Sequence, residues 1–301
     1  ADKSVLQNQE PLVVSILNAF SLKLFILLGE KLSKSILFLA PSLSGGGAER
    51  VMENLILQIN HFSESEYNLY LAMPENQPVK QSVLQKVKYI PLSYNSMKKN
   101  VFSLIRRTKK HNINTIFFSH SYLMPLVLCV KLVNPSVKVI YRESSIRSLR
   151  LPRKYRKILT FVYKILYKLT PDVIISQSEY MSSDLLNNFS CDKSKIIKIP
   201  NIVDRDKIEN LAAFPLTNFT TKAANVIFLG RLEDIKGINE LLDEFFCYQE
   251  QLKSIQLHIV GDGNLFKKVS EKAESMPNVC VHGHLDNPYP LLSKCDCLLM
   301  T

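Results

Sequence analysis

Short apolar runs separated by longer helix-like stretches dominate the chain from residue 35 onward. The first series, rich in aliphatic and β-branched residues, lies at 35–40, 67–72, 115–119, 137–141 and 172–176. A second series follows at 225–230, 256–261, 278–283 and 296–301. Continuous apolar runs are typical of parallel strands that helices cover on both faces. The pattern therefore predicts an α/β fold with two Rossmann-like units in tandem.

The junction between the two units is predicted in residues 196–224, where an apolar run gives way to a more polar stretch with two prolines. This divides the chain into an N-terminal extension (1–33), a first domain (34–200) and a second domain (201–301). The chain ends on the strand-like run 296–301 with no helix after it. We therefore expect the second domain to be incomplete, truncated at its C-terminal side.

Residues 12–28 of the extension are strongly apolar, but the run is only 17 residues long and contains Lys23. About 20 residues are needed to cross a bilayer comfortably. A helix docked on protein or lying at a membrane interface is favoured over a membrane span, which stays open as the alternative.

Composition and charge narrow the function classes. The 301 residues include 46% hydrophobic and 22% charged side chains, which is typical of a folded globular protein. Six cysteines without disulfide-like spacing indicate a reducing compartment, so a cytoplasmic location is expected. The net charge of +11 is concentrated in the first 200 residues, with 28 Lys and Arg against 13 Asp and Glu. This asymmetry indicates an anionic partner: a phosphorylated ligand, nucleic acid or an anionic lipid surface.

Glycine-containing turns follow three of the predicted strands. Gly45, Gly46 and Gly47 lie between the first strand and a helix, where backbone amides favour an anion such as phosphate. Gly261 and Gly263 form a second such turn after the run 256–261, and the segment 230–237 after the run 225–230 contains the third. Each turn alone is equally consistent with a simple strand-to-helix connection. Together they predict a ligand site at the carboxyl ends of the strands, in a cleft between the two sheets.

Arg231 and Lys236 lie in the sequence GRLEDIKG, directly after another predicted strand. An arginine fork and a lysine point charge at this position suit a diphosphate. A solvated charge pair of Arg231 with Glu233 or Asp234 remains the alternative.

The segment 142–168 carries nine Arg or Lys and a single acid, Glu143. We expect a basic amphipathic helix whose apolar side is Ile158, Phe161, Val162, Ile165 and Leu169. Such a helix fits an anionic headgroup surface, and a core-packed helix with a solvated basic face is the alternative. The candidate membrane or acceptor residues are Arg150, Arg153, Lys154, Arg156 and Lys157.

Cys280, His282 and His284 alternate along a predicted strand and would share one face, near Cys295 and Cys297 in sequence. Their spacing lacks the paired ligands of structural zinc sites, so no metal is expected here.

The combination of these motifs resembles the nucleotide-sugar glycosyltransferases of the GT-B architecture, specifically glycosyltransferase family 4 (group 1). The resemblance rests on segments spread over 34–301 in the family's order. They are GGGAERV (45–51), SQSEYMSSDL (176–185), IPNIVD (199–204), FLGRLEDIKGINELLDEF (228–245), LHIVGDG (257–263) and NVCVHGHLDNPYPLLSKCD (278–296). The resemblance implies two Rossmann-like domains whose parallel sheets face a cleft.

Residue roles also follow from the resemblance. It implies that Arg231 and Lys236 hold the donor diphosphate, and that Gly45–Gly47 face the donor phosphates or the acceptor. It further implies that Gly261–Gly263 and the turn of Gly283, His284 and Leu285 approach the nucleotide. His120 matches the histidine that this family often places beside the transferred sugar. The family's pair of glutamates, eight positions apart, would follow the run 296–301, so both are expected to lie beyond Thr301.

The leading interpretation is a glycosyltransferase that moves a sugar from a nucleoside-diphosphate donor to a glycan or lipid-linked acceptor in cell-surface polysaccharide or glycolipid synthesis. The resemblance implies retention of anomeric configuration and no metal or other cofactor. The expected location is the inner face of the cell membrane, as a peripheral protein. The alternative is a truncated, catalytically incompetent relative that binds nucleotide or membrane as a scaffold. Nucleic-acid binding is disfavoured because the chain has no recognition motif for it.

Overall fold

The computed structural model describes residues 35–43, 47–59, 67–93, 96–201, 205–216, 219 and 224–300. The chain divides into two compact units between residues 203 and 204, inside the segment 196–224 in which the junction was predicted. The N-terminal extension 1–33 lies outside the described residues, and so do Gly45 and Gly46.

The first unit is built on a seven-stranded parallel sheet with the strand order β3-β2-β1-β4-β5-β6-β7. Its strands are β1 (Ser35–Leu39), β2 (Asn68–Pro74), β3 (Lys88–Leu92), β4 (Thr115–Phe118), β5 (Lys138–Arg142), β6 (Val173–Ser176) and β7 (Ile196–Lys198). Its α-helices are α1 (Gly47–Gln58), α2 (Gln81–Leu84), α3 (Met97–Lys110), α4 (Met124–Val133), α5 (Arg147–Arg150), α6 (Arg156–Leu169) and α7 (Glu179–Phe189).

Each central strand of this sheet is buried on both faces. In β1, Leu37 and Leu39 pack into the core cluster under α3, α4, α6 and α7, whereas Ile36 and Phe38 pack into the cluster under α1 and α2. All five residues of β1 are buried. This burial on two sides explains why the strand has an uninterrupted apolar sequence.

The second unit repeats the same plan at smaller size. Its four parallel strands have the order β10-β9-β8-β11. They are β8 (Ala224–Leu229), β9 (Ile255–Val260), β10 (Val279–Gly283) and β11 (Cys297–Leu299), with the helices α8 (Arg205–Ala212), α9 (Ile238–Cys247), α10 (Phe266–Ala273) and α11 (Tyr289–Leu292). Both units therefore show the doubly wound order in which the connection reverses beside the first strand.

The nine predicted strand runs are confirmed, but the sequence pattern missed two strands of the first sheet. They are β3 (KYIPL) and β7 (IIK), which form the two edges of that sheet. Each has one neighbour, so it needs fewer apolar residues than a central strand, and an edge position also tolerates Pro91.

The prediction of one helix over 142–168 is wrong. Arg142 ends β5, α5 spans only Arg147–Arg150, a 3₁₀ turn covers Arg153–Tyr155, and α6 begins at Arg156. Pro152 supplies no N–H and disfavours helix at Leu151, so the segment breaks there. The apolar residues Ile158, Phe161, Val162, Ile165 and Leu169 are exposed, so the core-packed alternative is also wrong for them. The helix packs instead through Leu159, Tyr163, Leu166 and Tyr167.

A buried carboxylate organises the end of β5. Glu143 is 1% exposed, and its Oε1 accepts hydrogen bonds from Ser144 N at 3.0 Å and Arg147 Nη2 at 2.8 Å. Its Oε2 accepts a hydrogen bond from the hydroxyl of Tyr167 in α6. Burial of a charge is tolerated only when such partners replace water. Glu143 therefore joins β5, α5 and α6.

We predict that Glu143→Gln destabilises the protein by about 3 kcal/mol, because it leaves the buried Arg147 guanidinium without its counter-charge. Urea unfolding at neutral pH measures the change. The matched control is Glu179→Gln, which removes an exposed carboxylate paired with Lys198 and should cost less than about 1 kcal/mol. Equal effects of the two substitutions would contradict the structural role of Glu143.

Candidate active site

The two units place their candidate residues at equivalent points of their sheets. In an open parallel sheet, ligands bind outside the carboxyl ends of the strands, where the strand order reverses. In the first unit this point lies between β1 and β4, and in the second between β8 and β11. His120 follows β4, whereas Arg231 follows β8.

His120 lies beside the first turn of α1. Its Nε2 is 3.4 Å from Oε1 of Glu49, and its Nδ1 is buried without a hydrogen-bond partner among the described residues. Burial lowers the pKa of His120, the Glu49 carboxylate partly opposes this, and Arg147 and Arg142 add to the lowering. The imidazole is therefore held neutral at physiological pH with one ring nitrogen unsatisfied. A neutral imidazole of this kind can orient a hydroxyl group or stabilise developing charge.

Arg142 adds buried positive charge near His120. Its side chain is 1% exposed, one of its Nη2–H groups donates to Oδ1 of Asn201, and its Nε and Nη1 have no partner among the described residues. Burial lowers the pKa of Arg142 to about 10, so the guanidinium stays charged at neutral pH. Neither Arg142 nor Glu49 was assigned a role from the sequence, although Glu49 lies within the segment 45–51 and Arg142 begins the segment 142–168.

Of the first glycine turn, only Gly47 is described, as the first residue of α1. A Cβ added at Gly47 would meet no atom of the described residues within 4 Å. The backbone at Gly47 is thus accessible, as a phosphate-facing position requires.

The turns after β8, β9 and β10 are hydrogen-bonded to one another. Gly230 N donates to Val260 O at 3.0 Å, Leu232 N donates to Asp262 O at 3.0 Å, and Gly261 N donates to Gly283 O at 2.8 Å. The three glycine-containing turns of the second unit are distant in sequence, but these hydrogen bonds join them into one continuous edge of backbone.

The glycines in the β9 turn are required by this close approach. Gly261 has φ of +145°, and a Cβ there would lie 1.8 Å from Gly230 O. Gly263 has φ of +158°, and a Cβ there would lie 2.5 Å from Leu232 O. No side chain fits at either position without displacing the neighbouring turn.

Arg231 and Lys236 flank this edge. The Arg231 side chain is 69% exposed, and its Nη1 lies 3.0 Å from Oε1 of Glu233, which is the alternative pairing considered from the sequence. Exposed pairs of this kind contribute little free energy, so an anion of higher charge can displace the carboxylate. Lys236 is exposed at the end of a 3₁₀ turn, followed by Gly237 with φ of +62° and then α9.

His284 and Leu285 leave the edge in different directions. The His284 side chain is 70% exposed, with Nε2 3.6 Å from Oδ1 of Asp286. Leu285 packs instead against the small apolar cluster of Ile227, Val260 and Leu291. A ligand at this edge would therefore meet the backbone of Leu285 and of Gly283, and not the Leu285 side chain.

A histidine pair in the second sheet was not predicted. His258 Nδ1 lies 2.9 Å from His282 Nε2, and His258 Nε2 lies 2.9 Å from Oδ1 of Asn225. His282 lies on β10, His258 on β9 and Asn225 on β8. The Phe219 ring stacks on the His258 ring, with the two ring centroids 5.6 Å apart. Burial lowers the pKa of both histidines, and His282 lowers that of His258 further.

The expectation of no metal at Cys280, His282 and His284 stays a prediction. The pairing of β10 with β9 shifts register between Val281 and Gly283, and Cys280 Sγ accepts a hydrogen bond from Gln256. Within the described ranges, no group of three or more His, Cys, Asp or Glu side chains is placed to hold a metal ion.

The candidate membrane or acceptor residues all lie on the surface between α5 and α6. Arg150 ends α5, Arg153 and Lys154 are in the 3₁₀ turn, and Arg156 and Lys157 begin α6. All five are exposed. None of the helices in the part of the chain described here has the length and apolarity to span a bilayer.

With the fold and these sites defined, comparison with solved structures shows the class of fold. The chain superposes on HepE of Anabaena, solved with UDP and glucose, with a TM-score of 0.67 and 15% identity over 88% of this chain and 73% of that one. It superposes on the lipopolysaccharide outer core galactosyltransferase WaaB with a TM-score of 0.62 and 18% identity over 89% and 74%. The fold is that of the GT-B glycosyltransferases.

Sequence comparison confirms the resemblance to one family within this class. A family model described as "Glycosyl transferases group 1" matches residues 223–301. An uncharacterized glycosyltransferase of Methanocaldococcus jannaschii is 30% identical over 154 residues, which span 49% of this chain and only 38% of that protein. A Campylobacter jejuni protein is 25% identical over 278 residues, 85% of this chain and 71% of that one. It is the N-acetylgalactosamine-N,N'-diacetylbacillosaminyl-diphospho-undecaprenol 4-alpha-N-acetylgalactosaminyltransferase.

We predict that Gly261→Ala disrupts the edge formed by the three turns, because its Cβ would overlap Gly230 O and its φ is unfavourable for alanine. Thermal unfolding should show a destabilisation of roughly 2 kcal/mol or more. Gly230→Ala is the matched control, since its Cβ would only touch the Phe228 ring at 3.8 Å. If the two variants unfold at the same temperature, the close approach is not a constraint.

We predict that the His258–His282 pair makes stability depend on pH. The lowered pKa values mean that the folded state binds fewer protons than the unfolded state as the pH falls through about 6.5. The free energy of unfolding is therefore highest, as far as this pair is concerned, above about pH 6.5. It decreases as the pH falls toward the folded-state pKa values of the two histidines.

Urea unfolding between about pH 5 and pH 8 measures this dependence. His282→Gln, which keeps a hydrogen-bond donor but does not titrate, should show a shallower loss of stability than the native sequence. His284→Gln replaces an exposed histidine of the same strand end and should leave the profile unchanged. The same profile for His282→Gln and the native chain would rule out the pair as its source.

Proposed function

We propose that this chain carries the sugar-nucleotide site of a group 1 glycosyltransferase that acts in polysaccharide or glycolipid synthesis. The donor is a nucleoside-diphosphate sugar, and the acceptor is a hydroxyl of a glycan or a lipid-linked sugar. In the reaction, the bond between the sugar C1 and the diphosphate oxygen breaks and C1 bonds to the acceptor oxygen. The acceptor proton leaves with the nucleoside diphosphate, and the configuration at C1 is retained.

The observation that carries the proposal is the hydrogen-bonded edge of the second unit. Three turns join at the carboxyl ends of β8, β9 and β10, and Gly261 and Gly263 keep side chains away from their backbone. Arg231 and Lys236 supply two cations beside that edge. A backbone surface flanked by two cations suits a nucleoside diphosphate, because its charge is neutralised without a metal ion.

His120 is proposed to act on the sugar that is transferred. Its neutral imidazole has an Nδ1 with no hydrogen-bond partner among the described residues, and it lies at the switch point of the first sheet, where ligands of open α/β sheets bind. Orientation of a sugar hydroxyl is the role that this geometry supports best.

The acceptor and the location are proposed from chemistry and similarity together. The C. jejuni relative is named for a diphospho-undecaprenol acceptor. A lipid-linked acceptor of that class is presented at a membrane surface, and the surface residues between α5 and α6 are cationic. We therefore propose a peripheral location at the inner face of the cell membrane.

A nucleotide-binding scaffold without catalysis is the alternative considered from the sequence. Binding of a nucleoside diphosphate is common to both candidates. Transfer of a radiolabelled sugar to an acceptor, measured in a single turnover, supports the transferase only.

Titration calorimetry with UDP and with GDP tests the donor site. Arg231→Gln and Lys236→Gln should each weaken binding of the preferred nucleotide about tenfold or more, because each removes a charge-assisted contact. Lys253→Gln, an exposed lysine of the same unit, is the matched control and should bind as the native chain does. Unchanged affinity in both site variants would refute the phosphate assignment.

His120→Ala should abolish sugar transfer while leaving the affinity for the nucleoside diphosphate within about twofold, because its contact is to the sugar. His120→Gln, which retains a hydrogen-bonding group, should recover part of the rate. Parallel loss of transfer and nucleotide binding, together with a lowered unfolding midpoint, would mean that His120 has a structural role instead.

A further inference from the structure

One helical layer of the first unit is cationic and also exposes apolar side chains. Residues 97–169 contain 17 Lys and Arg but one acid, and that acid is the buried Glu143. The segment contains β4, β5 and the helices α3, α4, α5 and α6, of which α3 packs against α4 and α4 against α6. We refer to these four helices as the cationic layer. No exposed carboxylate within the segment offsets its charge.

Helix α6 has two apolar stripes rather than one. Leu159, Tyr163 and Leu166 pack into the core, as a surface helix requires. The second stripe is Ile158, Phe161, Val162, Ile165 and Leu169, which are between 41% and 67% exposed. At 3.6 residues per turn, these five positions share one side of the helix, and Lys157, Lys164 and Lys168 run alongside them. The described residues leave this second apolar stripe exposed to solvent, which indicates an occupant other than those residues.

Helix α3 contributes charge to the same layer. It carries six cations and no acid, and Phe102 on its surface is 75% exposed. Leu132 and Val133 at the end of α4 are also exposed. The layer thus combines dispersed positive charge with an apolar ridge on α6.

We propose that the cationic layer docks on an anionic lipid bilayer, with the apolar stripe of α6 entering the interface and α3 lying over the headgroups. This inference identifies the surface through which the proposed transferase contacts its membrane. It rests on the proposed function only in taking the protein to act at a membrane. Aliphatic side chains gain free energy in the acyl region, and flanking lysines gain it from anionic headgroups.

Two other occupants, a second copy of the chain and a nucleic acid, fit the layer less well. A second copy of the chain would bring the 13 Lys and Arg of its own four helices against the same layer, so self-association through it is opposed by repulsion. Nucleic acid would match the charge, but single strands are bound through aromatic stacking, and four of the five stripe residues are aliphatic.

A single tryptophan reports insertion directly, because the native chain contains none. Phe161→Trp places an indole on the α6 stripe, and Phe246→Trp places one on an exposed position of α9 as the matched control. With vesicles of phosphatidylglycerol and phosphatidylcholine, only Phe161→Trp should show a blue-shifted emission that brominated lipids quench. This local readout is independent of residues 12–28, which could hold the chain on a vesicle by themselves.

Charge substitutions test the headgroup contact. Lys164→Gln and Lys168→Gln should each weaken binding to anionic vesicles about fivefold, and more at low salt. Lys253→Gln together with Lys267→Gln removes two exposed lysines of the second unit and should have no effect. Vesicles of phosphatidylcholine alone should bind markedly more weakly.

Three outcomes overturn the docking. They are an unchanged Phe161→Trp emission when the chain cosediments with vesicles, equal shifts for both tryptophan variants, and tighter binding to duplex DNA or RNA than to anionic vesicles. Concentration-dependent dimerisation that Phe161→Ser abolishes would assign the stripe to a second copy instead. Calorimetry with UDP on the same variants separates this proposal from the donor site, since docking can fail while nucleotide binding is retained.

Discussion

The packing of the first unit depends on one buried carboxylate. Glu143 is the sole acid in a 73-residue segment, 97–169, that otherwise carries only positive charge. Its two oxygens accept hydrogen bonds from the backbone of the β5–α5 connection, from Arg147 and from Tyr167. These bonds fix the inner side of α6 and hold a guanidinium close enough to affect the pKa of His120. The outer side of α6 is thereby left to solvent or to a membrane, and one ionic contact serves both the core and the surface.

Topology decides where chemistry can occur in both units. Their strand orders reverse beside β1 and β8, and the loops at those reversals carry His120 and Arg231. The second unit adds a constraint that the first does not show among its described residues. Its turns approach so closely that Gly230 O occupies the place of a Cβ at Gly261. A ligand at this edge therefore meets backbone amides and carbonyls, with side-chain recognition limited to flanking positions such as Arg231 and Lys236.

Much of the fold was readable from the sequence because parallel strands buried on two sides have a distinctive apolar pattern. The central strands and the fold class were predicted correctly, whereas the edge strands β3 and β7 were missed because they are half-covered and short. The His258–His282–Asn225 chain depends on strand register, which brings together residues from three strands far apart in sequence. The sequence showed that α6 has an apolar side but not that this side faces outward, since its buried positions are apolar too. The positions of the candidate site residues agree with the motifs, while their roles stay predictions.

The central position of β1 also has a kinetic consequence. Ile36 pairs with Leu69 on one side and with Thr115 on the other, so the middle of the first sheet joins segments roughly 80 residues apart. Closing such a long loop is entropically costly and is rewarded only when both partners are available. During synthesis, β1 and β2 can associate early, but the sheet cannot extend past β1 until β4 has left the ribosome. The reversal of strand order, where His120 lies, therefore cannot form before β4 is available, and the sheet of the first unit is completed only after that.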